Sequence, residues 1–413
     1  MNSIFSARPG TAKAGRRLLP LLAMLAAGPH AHGLTINATF DRSITGDAQA
    51  ATIEATINSA IAVYETTFSD PITVNITFQE QSTGLGNSTT KVQPVPYSSY
   101  RSALLAHATS IDDGMAVTYL PNTANNPVDN NPNVYLSLAL GRALGLTSAV
   151  GSPDGTIYLN TSICNLSPAQ NDAAKYSLFA VVEHEIDEVL GSSSSLTGLT
   201  NGAPTPTVGL YVEDMFRYDQ NGARSFTTAA NAVAYFSLDG VTDLARFNQT
   251  QGGDYSDWYS PGGQTPQVQD AFGTPGSAPV LGVELRMLDA LGYTRPPAPL
   301  WVDFNYNGTP AGTYAAPDKT LAAGVSAVNA GGTIIIKSGY SGETMTITKP
   351  MFISAFIGNA NIGLGHALIV PLANLSGSDS PQTQVTPGSA VQGEIETTTG
   401  TMNVALPNRQ RAN

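Results

Sequence analysis

The stretch Tyr176–Leu190 constrains this chain more than any other. It places Phe179, Val182, Ile186 and Val189 three and four residues apart, and Gly191 with four serines ends the pattern. An amphipathic helix is the regular structure that gathers those four side chains on one face. The same segment carries Glu183, His184, Glu185, Asp187 and Glu188. Charged residues are only 12% of the 413-residue chain, roughly half the usual share. A chain with so few charges has gathered four carboxylates and an imidazole on one helix. The plain alternative is a solvated acidic face.

Residues four apart on a helix lie one above the other, so His184 and Glu188 can hold one ion from consecutive turns. Glu185 sits beside His184, within reach of a water on that ion. This is the H-E-x-x-H arrangement of zinc proteases with the second His replaced by Glu. Zinc at such a site lowers the pKa of a bound water to about 7, and Glu185 would take the proton as general base. A third ligand at the spacing of the extended zinc-protease pattern falls on Ser194, a poor ligand for zinc, so it must come from elsewhere. Cys164 is the only cysteine, which excludes a thiolate cluster and an intramolecular disulfide; it is expected to be a buried small residue. His107 lies mid-helix beside Leu104 and Leu105, and His366 belongs to the C-terminal part. The acidic candidates are Glu213, Asp214, Asp254 and Asp257, of which Asp214 is favoured. Loop carboxylates of this kind can also bind calcium or cap turns.

Elsewhere the pattern predicts a helix over 48–68, a strand over 71–78, helices over 97–108 and 137–144, and a strand over 154–160. The region 210–293 is irregular and closes with a short helix ending at Gly292. Arg295-Pro296-Pro297-Ala298-Pro299 cannot continue a helix and marks a linker. Beyond it a helix over 320–328 and strands over 333–336, 344–347 and 351–356 suggest the start of a parallel β-helix. After about Val370 the composition predicts disorder.

Arg16 and Arg17 precede the apolar run 18–27, and Ala31-His32-Gly33 supplies small residues at a peptidase site, the pattern of a secretory signal. The run is too short to span a bilayer, and no later segment reaches that length. A net charge of −12 argues against nucleic acid and anionic membrane surfaces as partners.

With these residues in hand, the chain resembles a family of secreted bacterial zincin-like metalloproteases. Their hallmark helix, H-E-I-x-E-V-x-G, is matched by His184, Glu185, Ile186, Glu188, Val189 and Gly191. The resemblance runs from about Thr39 to Tyr293, through Phe68–Val74, Met215–Tyr218, Tyr235–Ser237, Gly253–Tyr255 and Leu288–Tyr293. It implies an α+β fold: a zincin-like (metzincin-like) catalytic domain, then a small β-rich, β-helix-like region. It also implies a zinc-dependent endopeptidase acting on protein or peptide substrates, with His184 and Glu188 as ligands and Glu185 as base. The expected layout is a signal peptide over 1–33, the zincin-like domain over 34–294, a Pro-rich linker over 295–300, the β-helix-like region over 301–367 and a disordered tail over 368–413. Residues 301–365 separately resemble the opening turns of pectate-lyase-like β-helices, but with too few coils for a lyase groove. The alternative function is a catalytically silent zincin scaffold that binds at the cell surface, with glycan contact through the C-terminal region.

Overall fold

A computed structural model of the protein describes residues 33–363, apart from 207, 208, 297, 330, 331 and 350, and two short strands beyond them. The expected leader up to His32 and the rest of the expected tail, with His366, lie outside the described residues.

The chain opens with β1 (Thr35–Phe40), α1 (Arg42–Thr45), α2 (Ala50–Thr67) and β2 (Thr73–Glu80). In α2 the fourfold spacing of Ile53, Ile57 and Ile61 buries one stripe, which Tyr64 extends. β2 buries Val74, Ile76 and Phe78, the alternate residues of the sequence pattern, and pairs parallel with β1. β3 (Gly86–Thr90) follows, then β4 (Val92–Pro96), α3 (Tyr97–His107) and α4 (Ile111–Tyr119). Sequence periodicity does not show α4. Its start is marked instead by a capping box, in which Ser110 Oγ accepts from the Asp113 N–H and Asp113 accepts from the Ser110 N–H.

β5 (Asn133–Ser137) pairs with β4, α5 (Leu138–Ala143) is capped by Ser137, and β6 (Gly155–Leu159) enters the main sheet. That sheet has the order β1-β2-β6-β3, with β3 antiparallel at its edge. The short pair β7 (Cys164–Asn165) and β8 (Tyr176–Ser177) leads into α6 (Leu178–Leu190). Cys164 is buried there, as expected.

After α6 come three two-residue strands, β9 (Arg217–Tyr218), β10 (Tyr235–Phe236) and β11 (Ala245–Arg246), a long irregular connection, and α7 (Val283–Leu291). The C-terminal part holds β12 (Leu300–Val302), α8 (Leu321–Ala327), β13 (Thr333–Ser341) and β14 (Met351–Ile362), with β12, β13 and β14 parallel. The short β15 (Thr383–Val385) and β16 (Val404–Ala405) pair antiparallel with β14. The strand expected over 344–347 does not form; Ile347 is nonetheless buried in the second core with Met351 and Leu321. Among the described residues the fold is mixed α+β, with eight helices and several small sheets.

Three aromatic rings of the C-terminal part pack on one another, and two of them bond to the segment 109–118. Trp301, Tyr314 and Phe356 meet edge to face at centroid distances of 4.8, 5.0 and 5.7 Å, contacts worth roughly 0.5–1.5 kcal/mol each beyond the area buried. The Trp301 indole N–H donates to the Thr109 carbonyl, and the Tyr314 hydroxyl bonds Thr118 Oγ1 at 2.9 Å. None of the helices among the described residues is long and apolar enough to cross a membrane.

Candidate metal centre

Helix α6 is held from both sides. Its apolar stripe, with Val182, Ile186 and Val189 fully buried, packs against α2 and the main sheet. The single proton of the Tyr64 hydroxyl of α2 is shared between the Glu183 carbonyl at 2.7 Å and Asp187 Oδ1 at 2.9 Å. Gly191 ends the helix at φ 151°, in the region that favours glycine. The opposite face of α6 presents His184, Glu185 and Glu188 to a cleft of about 440 Å3. One wall of the cleft is the edge-strand segment Gly84–Asn87, and the other comes from the connection between β11 and α7, with Asp254, Asp257 and Val268.

Three side chains converge here. His184 Nε2 lies 3.8 Å from Glu188 Oε1 and 3.7 Å from Asp257 Oδ2. At those separations they face one another without hydrogen bonding. His184, Glu188 and Asp257 each offer one ligand atom within 4.8 Å of the others, the arrangement of a site that could hold a metal ion. The ring is oriented from behind: a carbonyl only accepts, so the 2.9 Å contact with Val268 O puts the proton on Nδ1. In the neutral imidazole this leaves the Nε2 lone pair toward the two carboxylates, the usual arrangement of a ligating histidine. Glu188 is fixed in turn by Ser88 Oγ, which donates to Oε2 at 2.6 Å. Asp257 Oδ1 accepts from Gln269 Nε2 at 3.1 Å, and the same amide lies 3.4 Å from His184 Nε2.

The electrostatics are those of anions short of a counter-charge. Burial pushes Glu188 up to about 7, with His184 opposing and Asp257 and Asp254 adding to the rise. Burial pushes Asp257 up to about 6, again against His184. Burial and then the neighbouring Glu188 raise Glu185 well above the ordinary carboxyl range. For His184 burial acts downward, yet Asp257 and Glu188 outweigh it and raise the imidazole. Among the described residues no lysine or arginine lines the cleft. A divalent cation is the species that would relieve this crowding. One imidazole and two carboxylates suit zinc, whereas calcium prefers oxygen ligands alone.

Glu185 Oε2 is buried and has no hydrogen-bond partner, and the residue is only 4% exposed. Its carboxyl lies against Gly86 of β3, where a Cβ would sit 2.2 Å from Oε1. The edge strand therefore approaches the helix as closely as it does because position 86 carries no side chain.

The structure brings His184, Glu185 and Glu188 together, and it places Asp257 rather than Asp214 in the group with His184 and Glu188. Asp214 is in the 3-10 turn Val212–Phe216 and is occupied in holding the serine turn after α6. It accepts from Ser194 Oγ at 2.6 Å and from the Ser195 N–H at 2.9 Å. Ser194, which falls where a third histidine would, is thus a donor to Asp214. The third member of the group is Asp257, from a loop whose position no periodicity in the sequence specifies. Ser88, Val268 and Gln269, by contrast, carry no sequence signal of their place at the site. His107 closes α3, outside this group.

No family model matches this chain. Neither a curated protein nor a solved structure does.

Proposed function

We propose that this chain is an exported zinc-dependent endopeptidase with a zincin-like architecture. The observation that carries the reading is the convergence of His184, Glu188 and Asp257 in a cleft, with Glu185 beside them under an antiparallel edge strand. A cation held there would supply Lewis acidity to a peptide carbonyl and to water. Glu185 accepts the proton of the attacking water at its carboxylate and returns it to the leaving amine. The segment Gly84–Asn87 offers an edge along which an extended peptide lies as an added strand. Export, with removal of the leader near Gly33, follows the N-terminal pattern. The parallel strands β12, β13 and β14 fit a short β-helix-like region.

One observation favours a second reading, a silent zincin scaffold that binds but does not cut. The Gln269 amide bridges His184 Nε2 and Asp257 Oδ1, so a protein group satisfies part of the site without a cation. Hydrolysis of a denatured protein substrate separates the two readings. The peptidase reading expects turnover in wild type, and in Glu185→Gln a loss of at least 10²-fold, the usual contribution of a general base, with metal retained. Equal turnover in that variant would remove Glu185 from the mechanism.

A further inference from the structure

The long connection from Phe247 to Gly282 supplies Asp257 and Val268, yet the named strands and helices leave it irregular. Something must fix it to within a fraction of an ångström if it is to present a ligand. Trp258, next to Asp257, is fully buried, its ring 5.9 Å from Phe236 and 5.2 Å from Phe247. Its backbone N–H donates to the Gln269 carbonyl at 2.7 Å, joining the two halves of the loop. Both halves then meet one carboxylate. Glu284, 1% exposed at the start of α7, accepts at Oε1 from the Trp258 indole N–H and from the Gln269 backbone N–H, each at 3.1 Å. Its Oε2 accepts from the Gly282 N–H at 2.7 Å, which locks the carboxylate in place.

The two donors on Oε1 are the immediate neighbours of the two groups the metal site takes from this loop. Trp258 follows Asp257, the third ligand. Gln269 follows Val268, whose carbonyl sets the His184 tautomer, and its own side chain donates to Asp257 Oδ1. We propose that Glu284 is the positioning residue of the metal centre: through Trp258 and Gln269 it holds Asp257 at bonding range and keeps His184 Nε2 turned toward the cation. This rests on the metal-site reading above. Glu284 touches neither the cation nor substrate.

The test is zinc affinity of the full chain, by competition with a chromophoric chelator, for wild type, Glu284→Ala and Glu284→Gln. Outer partners of metal ligands are typically worth 10–100-fold in affinity. Folded Glu284→Ala should bind zinc more weakly by about that factor, while Glu284→Gln, which keeps an Oε1 acceptor, recovers most of the loss. Folded Glu284→Ala that binds as wild type does overturns the inference. Should Glu284→Ala fail to fold, the wild-type protein decides through its two indole N–H signals in a 15N-labelled sample. Added zinc is expected to shift the Trp258 signal and slow its hydrogen exchange, while Trp301, bonded to Thr109, stays put. A Trp258 signal that ignores zinc in a protein that binds it overturns the coupling alone. A wild-type protein that takes up no zinc overturns the metal-site reading and this inference with it.

Discussion

Replacing Gly86 by alanine would test how the edge strand and the helix cooperate. The backbone at Gly86 is not left-handed, so alanine is acceptable there and the effect is steric. Its Cβ would fall 2.2 Å from Glu185 Oε1, 2.9 Å from Glu185 Cδ and 2.9 Å from Val181 Cγ1. Ordinary contact begins near 3.4 Å, so the carboxyl or the strand must retreat by about 1 Å, and the terminal atoms of Glu185 yield most cheaply. Overpacking of this kind costs roughly 1–3 kcal/mol of stability. The larger effect falls on chemistry, because misplacing a reacting group by about 1 Å can cost 10²-fold in rate. The three atoms nearest the new methyl group belong to Glu185 and Val181, not to His184, Glu188 or Asp257. Gly86→Ala should therefore keep its zinc, unfold at modestly lower urea, and lose about 10²-fold in peptide hydrolysis. Three measurements on one preparation check this: metal content, urea unfolding and turnover. Full turnover in a folded variant would refute the placement of Glu185 as the base beneath β3.

Two further expectations follow from other parts of the structure. Asp257→Asn should weaken zinc binding, while Asp214→Asn leaves it near wild type and lowers stability by loosening the Ser194–Ser195 turn; chelator competition and urea melts on both variants decide, and the opposite pattern would restore Asp214 as the ligand. Asp113 is pushed from 3.8 to about 7, chiefly by burial, with the Asp112 charge adding to the rise. A carboxyl raised in the folded state stabilises fully below its unfolded pKa and loses that contribution as pH climbs through the folded value. Stability should thus fall between pH 4 and about 7, and fall less steeply in Asp113→Asn, which retains an acceptor for the Thr109 and Ser110 N–H groups. Parallel pH profiles for the two proteins would remove Asp113 from the account.

What was legible in the sequence is what repeats at a fixed spacing. The stripes of α2 and α6 and the alternation in β2 announce both the element and its buried face, and the observed bounds lie within two residues of those expected for most of these elements. The pair His184 and Glu188 was legible for the same reason, since a helix fixes where residues four apart must be. Short polar strands such as β3, whose residues Gly86–Thr90 carry no apolar alternation, left no such trace, although β3 forms a wall of the cleft. α4 leaves only a single capping box as its signal. Asp257 was only one of several acidic candidates, because its place depends on tertiary bonds from Trp258 and Gln269 to Glu284, and no local rule encodes those. Asp214, also among those candidates, instead closes the serine turn after α6.

The most direct test of the central claim is the metal content of the purified protein, by elemental analysis, for wild type and His184→Ala. Wild type should carry close to one zinc per chain, and the variant should lose it. Wild type without zinc after reconstitution, or equal zinc in both proteins, would contradict the claim and leave the cleft to a binding role.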